Sequence, residues 1–429
     1  MGKTPDRGNK KYWNENTIPW VSISDMLPSQ HIKTTKEKIS QLALNDIFKK
    51  KISPKGTLLM SFKLTVGRTS IIDFDAVHNE AIISIYPYNC CGEIFKTFLL
   101  YFLPLFSSLA QSHDAIKGKT LNSKSIDNIF IPIPSIAEQQ EIIKVFEKLK
   151  KEINTVQANQ EELSKLKDGL KSKILDLAIQ GKLVEQDPND EPASVLLEKI
   201  RAEKQELIKQ GKIKKDKQES YIYKGADNRH YEKIGSETKD ITDEIPFEIP
   251  NSWQWVRFSE ISIYSTDYVA NGSFASLREN VKIYKEKNFA ILIKTQDFAY
   301  NFNRDLTYID EQSYNFLGKS KLFGGELMMS NIGASIGKVF IIPNLHMPMS
   351  IAPNSIVIKF SNEILTKFIY YLISSYFGQD MLKNFTTGTA MPKFSKTQIR
   401  GALVPLPPID EQRRIILRIE QLTQYIEKL

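Results

Sequence analysis

A chain of 429 residues, 41% hydrophobic and 25% charged, has room for two or three domains with ample core. No apolar run reaches the length of a membrane span, and Met1-Gly-Lys-Thr-Pro-Asp-Arg lacks the apolar segment of a signal peptide, so a cytoplasmic chain is expected. The two cysteines, adjacent at Cys90 and Cys91, are too strained for a routine disulfide and too few for a zinc site, while the formal net charge of +8 leans toward a polyanionic partner.

Residues 1–137 read as a first globular domain. A turn-rich opening leads to a strand-like run from Ile18, with further short strands at 58–60, 69–72 and 81–86. The apolar run 95–109, which carries Lys96 and Pro104, reads as a buried helix, followed by a polar loop, Lys117-Gly-Lys-Thr. Residues 138–181 form a spacer helix. Its apolar positions, Ile142, Phe146, Leu149, Ile153, Val156, Leu163, Leu170, Ile174 and Leu177, alternate in steps of three and four, the signature of a coiled-coil seam. Gln160 and Lys167 interrupt that seam with polar side chains, and the helix should be roughly 60 Å long.

Residues 182–246 read as a helix over 193–209, stopped by Gly211, and then a charged, extended connector in which Lys209, Lys212, Lys214, Lys215 and Lys217 make a solvated run. The second globular domain, 247–409, has strand-like runs at 290–293, 327–329, 339–342 and 355–360 and a helix near 365–376, in the order of the first. A second coil helix closes the chain at 410–429.

The order of elements is a duplication. Ile415, Ile419, Leu422, Ile426 and Leu429 repeat the steps of Ile142 to Val156, each 273 positions later. Their lead-in repeats too, Ile131-Pro-Ile-Pro-Ser-Ile-Ala-Glu-Gln against Val404-Pro-Leu-Pro-Pro-Ile-Asp-Glu-Gln. A period this long points to a duplicated domain-plus-helix, not a solenoid of small units. The two apolar stripes are expected to pack antiparallel, 142–156 against 415–429.

The residues offer little chemistry. Gly333-Ala-Ser-Ile-Gly-Lys-Val is one residue short of a phosphate loop and lacks the hydroxyl residue after lysine, so it reads as a turn between strands. Glu237-Thr-Lys resembles half of a nuclease motif but falls in the connector with no strand to hold it, and the five histidines show no paired metal spacing. No Asn-Pro-Pro-Tyr or Asp-Pro-Pro-Tyr stretch of an adenine methyltransferase occurs. What the domains do offer is loops mixing Lys and Arg with Ser, Thr, Asn and Gln, groups suited to phosphates and base edges. The candidates are Lys3, Thr4, Arg7, Lys63, Arg68, Lys117 and Lys119 in the first domain, and Lys294, Gln296, Asn331, Ser335, Lys338, Thr387 and Lys393 in the second. Glycines 67, 118, 333, 337 and 388 serve the turns.

The tandem domains, the Pro405-Leu-Pro-Pro-Ile-Asp-Glu-Gln412 entry to a coil, Ala178-Ile-Gln-Gly-Lys-Leu-Val-Glu-Gln at the other coil's end, and Ile249-Pro-Asn-Ser-Trp-Gln-Trp-Val together resemble the DNA specificity subunit of type I restriction–modification systems. The resemblance spans essentially the whole chain. It implies an α+β fold of two tandem target-recognition domains separated by long antiparallel coiled-coil helices. Each domain would read one half of a split site in double-stranded DNA, without a catalytic centre or metal of its own. The coils would dock methyltransferase subunits and, through them, the restriction subunit; S-adenosylmethionine, ATP and Mg²⁺ would belong to those partners. The first domain has no counterpart to Trp253-Gln-Trp-Val-Arg-Phe and is expected to lack an N-terminal strand, and the second coil is shorter than the first. The alternative is a coiled-coil scaffold whose domains bind protein without DNA specificity.

Overall fold

The computed structural model describes residues 2–13, 17–63, 65–88, 92–109, 113–115, 118–121, 126–216, 219–388 and 391–429; Cys90, Cys91, Lys117 and Lys217 fall outside them. Two compact units emerge, Met1–Gln160 and Glu161–Leu429, with the boundary inside one unbroken helix, Ile136–Ile179.

In the first unit, strand Ile18–Val21 pairs antiparallel with Glu37–Ile39 on one side and parallel with Val77–His78 on the other. A second sheet orders Gln30–Ile32, Thr69–Ile72, Leu58–Ser61 and Ile82–Ile85. Leu58, Leu59 and Met60 are all buried, which is why that strand reads as a continuous apolar run and not an alternating one. Helix Gly92–Leu109 covers the sheet with Leu99, Leu100 and Leu103, and the largely buried Lys96 satisfies its ammonium on Glu93 at 2.6 Å and the Gly56 carbonyl at 3.0 Å.

The second unit repeats this topology. Ala290–Ile293 pairs antiparallel with Tyr308–Ile309 and parallel with Met349–Ile351, and the strands Val339–Ile341, Leu327–Ser330 and Ser355–Phe360 lie side by side in that order. Leu327, Met328 and Met329 are buried on both faces, as in the first unit. Several elements have no match among the described residues of the first unit. Ser262–Asp267 extends the sheet beyond Ser355–Phe360, and Gln254–Arg257 pairs with Leu403–Leu406. In the first unit the stretch corresponding to 403–406 is irregular and leaves Phe130 93% and Ile133 68% exposed.

The duplicated Glu-Gln motif fixes each proline turn to the helix after it. Gln139 donates its amide to the Pro134 carbonyl and Gln412 to the Pro407 carbonyl, at 2.8 and 2.9 Å, and both side chains are buried. The preceding acids differ because Ser135 faces Pro408. Ser135 and Glu138 form a capping box, with main-chain to side-chain distances of 2.9 and 3.3 Å. Proline removes that option, so Glu411 turns inward and accepts from Trp253 Nε1 at 2.8 Å and from Gln186 Nε2 at 2.5 Å. Burial pushes the Glu411 carboxyl above its ordinary range, and those hydrogen bonds pull it back.

Helix Ile409–Lys428 sinks Ile415, Ile416 and Ile419 into the main core of the second unit, beside Ala178 and Ile179 at the end of the spacer helix. Its direction is antiparallel to the spacer: Glu411 meets Gln186 near its start, and Glu427 meets Lys171 at 3.4 Å near its end. The seam is otherwise arranged differently from expectation. Ile142, Leu149, Ile153 and Val156 are solvent-exposed, and Phe146 leaves the seam to stack with Tyr101 and Phe102 at 4.9 and 5.3 Å. An aromatic ring gains more from two aromatic neighbours than from an exposed stripe.

Two further expectations need correction. The connector is not extended: strands Ser220–Lys224, His230–Ile234 and Glu237–Asp240 form an antiparallel sheet. Ile222 and Ile241 bury against Trp255, and Arg257 clamps the sheet through Glu232 and Glu244 at 2.6 and 2.8 Å. The Glu237-Thr-Lys stretch therefore does lie on a strand, though an exposed edge one. The helix expected near 365–376 is two, Glu363–Ser374 and Tyr376–Phe385, because Ser375 is extended and caps the second through Gly378 N.

The core assignment gives a direct test. Phe368, 1% exposed and edge-on to Trp253, lies in the second unit alone. Phe368→Ala should cost ~3–5 kcal/mol, read as a shift in the second unit's urea transition with the first unit's unchanged. Equal shifts in both would mean the units unfold as one.

Candidate nucleic-acid interface

The turn after the central strand is built the same way in both units. Ser61 N donates to Arg68 O at 2.9 Å and Gly67 N to Ser61 O at 2.8 Å. In the second unit Ser330 N donates to Lys338 O and Gly337 N to Ser330 O, both at 2.9 Å. Gly67 and Gly337 share a φ of +82°, the left-handed region that glycine enters without strain. Neither turn has room for a side chain: a Cβ would stand 2.0 Å from Ser107 Oγ at Gly67 and 3.0 Å from Gln379 Oε1 at Gly337.

A second segment is stitched beside each turn by an equivalent bond. Leu121 N donates to Phe62 O at 2.9 Å, and Phe394 N donates to Asn331 O at 3.1 Å. The first follows the hairpin His113–Ala115 and Gly118–Thr120, in which Lys119 is opposite Asp114. The second follows Thr387 and Lys393, whose main chains exchange two bonds of 2.9 Å. Ile332 bridges to Lys393 and Gly333 N reaches Pro392 O at 3.1 Å, so the two loops of the second unit form one surface. That surface gathers Asn331, Ser335, Lys338, Thr387 and Lys393. Lys338, Thr387 and Lys393 are exposed, and Ser335 Oγ lies 2.9 Å from Ser330 Oγ. Asn331 instead spends its amide on Phe394 O at 3.1 Å and shapes the loop. In the first unit the corresponding backbone carries Lys63, which is exposed, and Lys119 at the hairpin position opposite Asp114, while Lys117 falls outside the described residues.

Other candidates are committed to the fold. Lys3 donates to Ile47 O at 2.9 Å. Thr4 bonds the Glu80 carboxylate and so holds it below its usual range. Arg7 forks onto Glu37 and lies 4.0 Å above the Trp13 ring, and its hydrogen bonds depress the Glu37 carboxyl. Arg68 is half-buried and points back to Met26 O at 3.2 Å. Lys294 reaches Thr307 Oγ1 at 2.5 Å, and its backbone N–H binds Asp297, whose carboxyl burial drives upward. Gln296, next to that buried turn, is exposed.

Two stretches, 1–165 and 253–428, match the family described as type I restriction modification DNA specificity domain. The chain belongs to that family. It is 30% identical over 266 residues to the Type I restriction enzyme EcoAI specificity subunit of Escherichia coli, a match covering 61% of this chain and 41% of that protein. It is 22% identical over 400 residues to the EcoKI specificity subunit of Escherichia coli strain K12, covering 88% and 70%. The chain thus spans less than half the length of its EcoAI relative. A chain from a structure on complex assembly and conformational transition of the type I R-M system superposes with a TM-score of 0.58 over 97% of this chain and 86% of its own, at 14% identity, a likeness of fold alone. Among the described residues no group of three metal-ligating side chains occurs, and no helix is long and apolar enough to cross a membrane.

A positioning residue of this specificity-domain surface went unread in the sequence. Gln379 donates to Gly337 O at 3.0 Å and Ile373 O at 2.8 Å, joining the turn to the second of the split helices. The sequence carries no signal for it, because the helix break at Ser375 that sets its position is itself hidden in a continuous apolar period. Arg7 supplies a test of which candidates are structural. Arg7→Gln should lower the first unit's stability by roughly 1 kcal/mol and leave retardation of duplex DNA by the folded protein unchanged. Weakened DNA binding at full folding would return Arg7 to the interface.

Proposed function

We propose that the chain reads a split site in duplex DNA, one half per unit, and presents it to partner subunits that modify or cut. The observation that carries this reading is the pair of matched surfaces, each a left-handed glycine turn stitched to a second loop by Leu121–Phe62 or Phe394–Asn331. Rigid backbone beneath Lys, Thr and Ser side chains is what base readout requires, while the same cations neutralise phosphate. Two such surfaces on unlike loop sequences would read two unlike half-sites. The family membership and the EcoAI and EcoKI likenesses support the same reading.

In this reading the chain is a non-catalytic subunit of the cytoplasm. The methyltransferase subunits bring S-adenosylmethionine and the restriction subunit brings ATP and Mg²⁺. The exposed apolar positions of the spacer helix, Ile142, Leu149, Ile153 and Val156, suit the docking of those partners.

Lys338→Gln with Lys393→Gln should weaken the second half-site and leave the first half-site's base preference intact, measured by competition with oligonucleotides altered in one half at a time. The salt slope should fall by about two, one for each phosphate no longer neutralised. Loss of preference in both halves would defeat the assignment of one surface to each unit.

The spacer would set the gap between half-sites. Deleting one heptad, 160–166, removes about 10 Å of helix and keeps the seam in phase. At ~3.4 Å of DNA axis per base pair, the gap should shorten by up to about three base pairs. A methylome with an unchanged gap would leave the helix as a dock only.

A further inference from the structure

A cleft of about 880 Å³ opens in the second unit between helix Ala193–Lys209 and the sheet edge at Ser262–Asp267, away from the loops just described. Its lining carries eight Lys or Arg side chains against three Asp or Glu. Part of that charge is matched: Arg201 pairs with Glu260 at 3.2 Å and Lys396 with Asp267 at 3.1 Å. Lys212, Lys214 and Lys319 have no side-chain partner among the described residues and face a mouth that opens to solvent. These three cations add to a positive rim, which raises the local concentration of anions.

Asp216 is the exception that shows what the cleft accepts. It arrives from the segment after the helix and places one carboxylate oxygen 2.6 Å from Arg400 and the other 3.6 Å from Lys204. Arg400 is also held toward Ser265 at 3.5 Å, and Lys204 donates to the Ser259 carbonyl at 2.9 Å. Burial drives the Lys204 ammonium down and Asp216 draws it back up, so an anion in that place favours the charged form. A phosphate oxygen would meet the same two donors, with Arg400 offering its planar fork. Beside this charged end, Ile208, Ile263, Tyr264 and Phe323 supply an apolar wall, and Phe323 is 67% exposed. A cleft of this volume takes a ligand far larger than a phosphate alone.

We propose that this cleft binds a nucleotide, its phosphate replacing the Asp216 carboxylate between Arg400 and Lys204 and its base lying on the wall formed by Tyr264 and Phe323. The nucleotide is either free or one residue of a DNA strand, the chemistry being the same. Asp216 then works as an internal competitor that keeps the cleft charge-balanced until the ligand displaces it.

Calorimetric titration of the full chain with ATP, and separately with inorganic pyrophosphate, tests this. ATP should bind more tightly than pyrophosphate. Asp216→Asn should tighten ATP by about threefold by removing the competing charge, whereas Arg400→Gln should weaken it by about tenfold. Lys319→Gln, at a position with no side-chain partner to lose, should weaken it with circular dichroism and melting unchanged. Absence of ATP binding, equal affinity for pyrophosphate and ATP, or indifference to both Asp216→Asn and Arg400→Gln would overturn the proposal. The source is read by repeating the ATP titration with a duplex present. Competition between the two assigns the phosphate to a DNA strand, and simultaneous binding assigns it to a free nucleotide.

Discussion

Each unit fixes the start of its helix with the same buried amide. Gln139 and Gln412 each grip a proline carbonyl five residues back and so tie the proline turn to the helix that follows. A net hydrogen bond of this kind contributes only ~1 kcal/mol, but an unmade one in a buried turn costs more. The acceptor is the proline's own carbonyl, which lies just before the helix and takes its donor from the side chain. The amides cannot be turned over without losing that donor. Both leave their oxygen without a hydrogen-bond partner, a cost the two copies share. The interaction is therefore one of position: it joins the proline turn of each unit to the helix that follows.

Much of this was legible in the residues. Strands 58–60, 69–72, 290–293, 327–329 and 355–360 are buried on both sides, so apolar runs alone reveal them. The duplication was legible because the Glu-Gln motif and the seam keep one offset. The sheet over 220–240 was not, because it buries little beyond Ile222 and is held by an arginine, Arg257, outside it. The break at Ser375 was hidden because the apolar period continues across it. At the candidate interface the glycine turns stood out, but charge does not announce its partner. Arg7 and Lys294 look like free cations in the sequence and are ion-paired or hydrogen-bonded in the fold. Lys212 and Lys214, in the lysine run after Gly211, are exposed as read and also line the rim of a cleft.

The differences between the units carry as much meaning as the likenesses. The exchange of Ser135 for Pro408, together with a Trp253 that the first unit lacks, redirects the following acid from capping its helix to binding in the core. The second unit gains Gln254–Arg257, Ser262–Asp267 and the clamped three-stranded sheet, and with them a deeper core. The loops that would read DNA keep their backbone frame and vary in sequence, Lys63 against Ser335, Lys338, Thr387 and Lys393. A shared frame with variable side chains lets one fold recognise unlike sequences.

The central claim is that two surfaces on one chain read two separate half-sites. Single-molecule methylome sequencing of cells expressing the chain with its methyltransferase subunits tests it most directly. The account predicts one modified motif made of two unlike half-sites separated by a gap of fixed length and free sequence. An uninterrupted motif, or methylation indifferent to sequence, would contradict it.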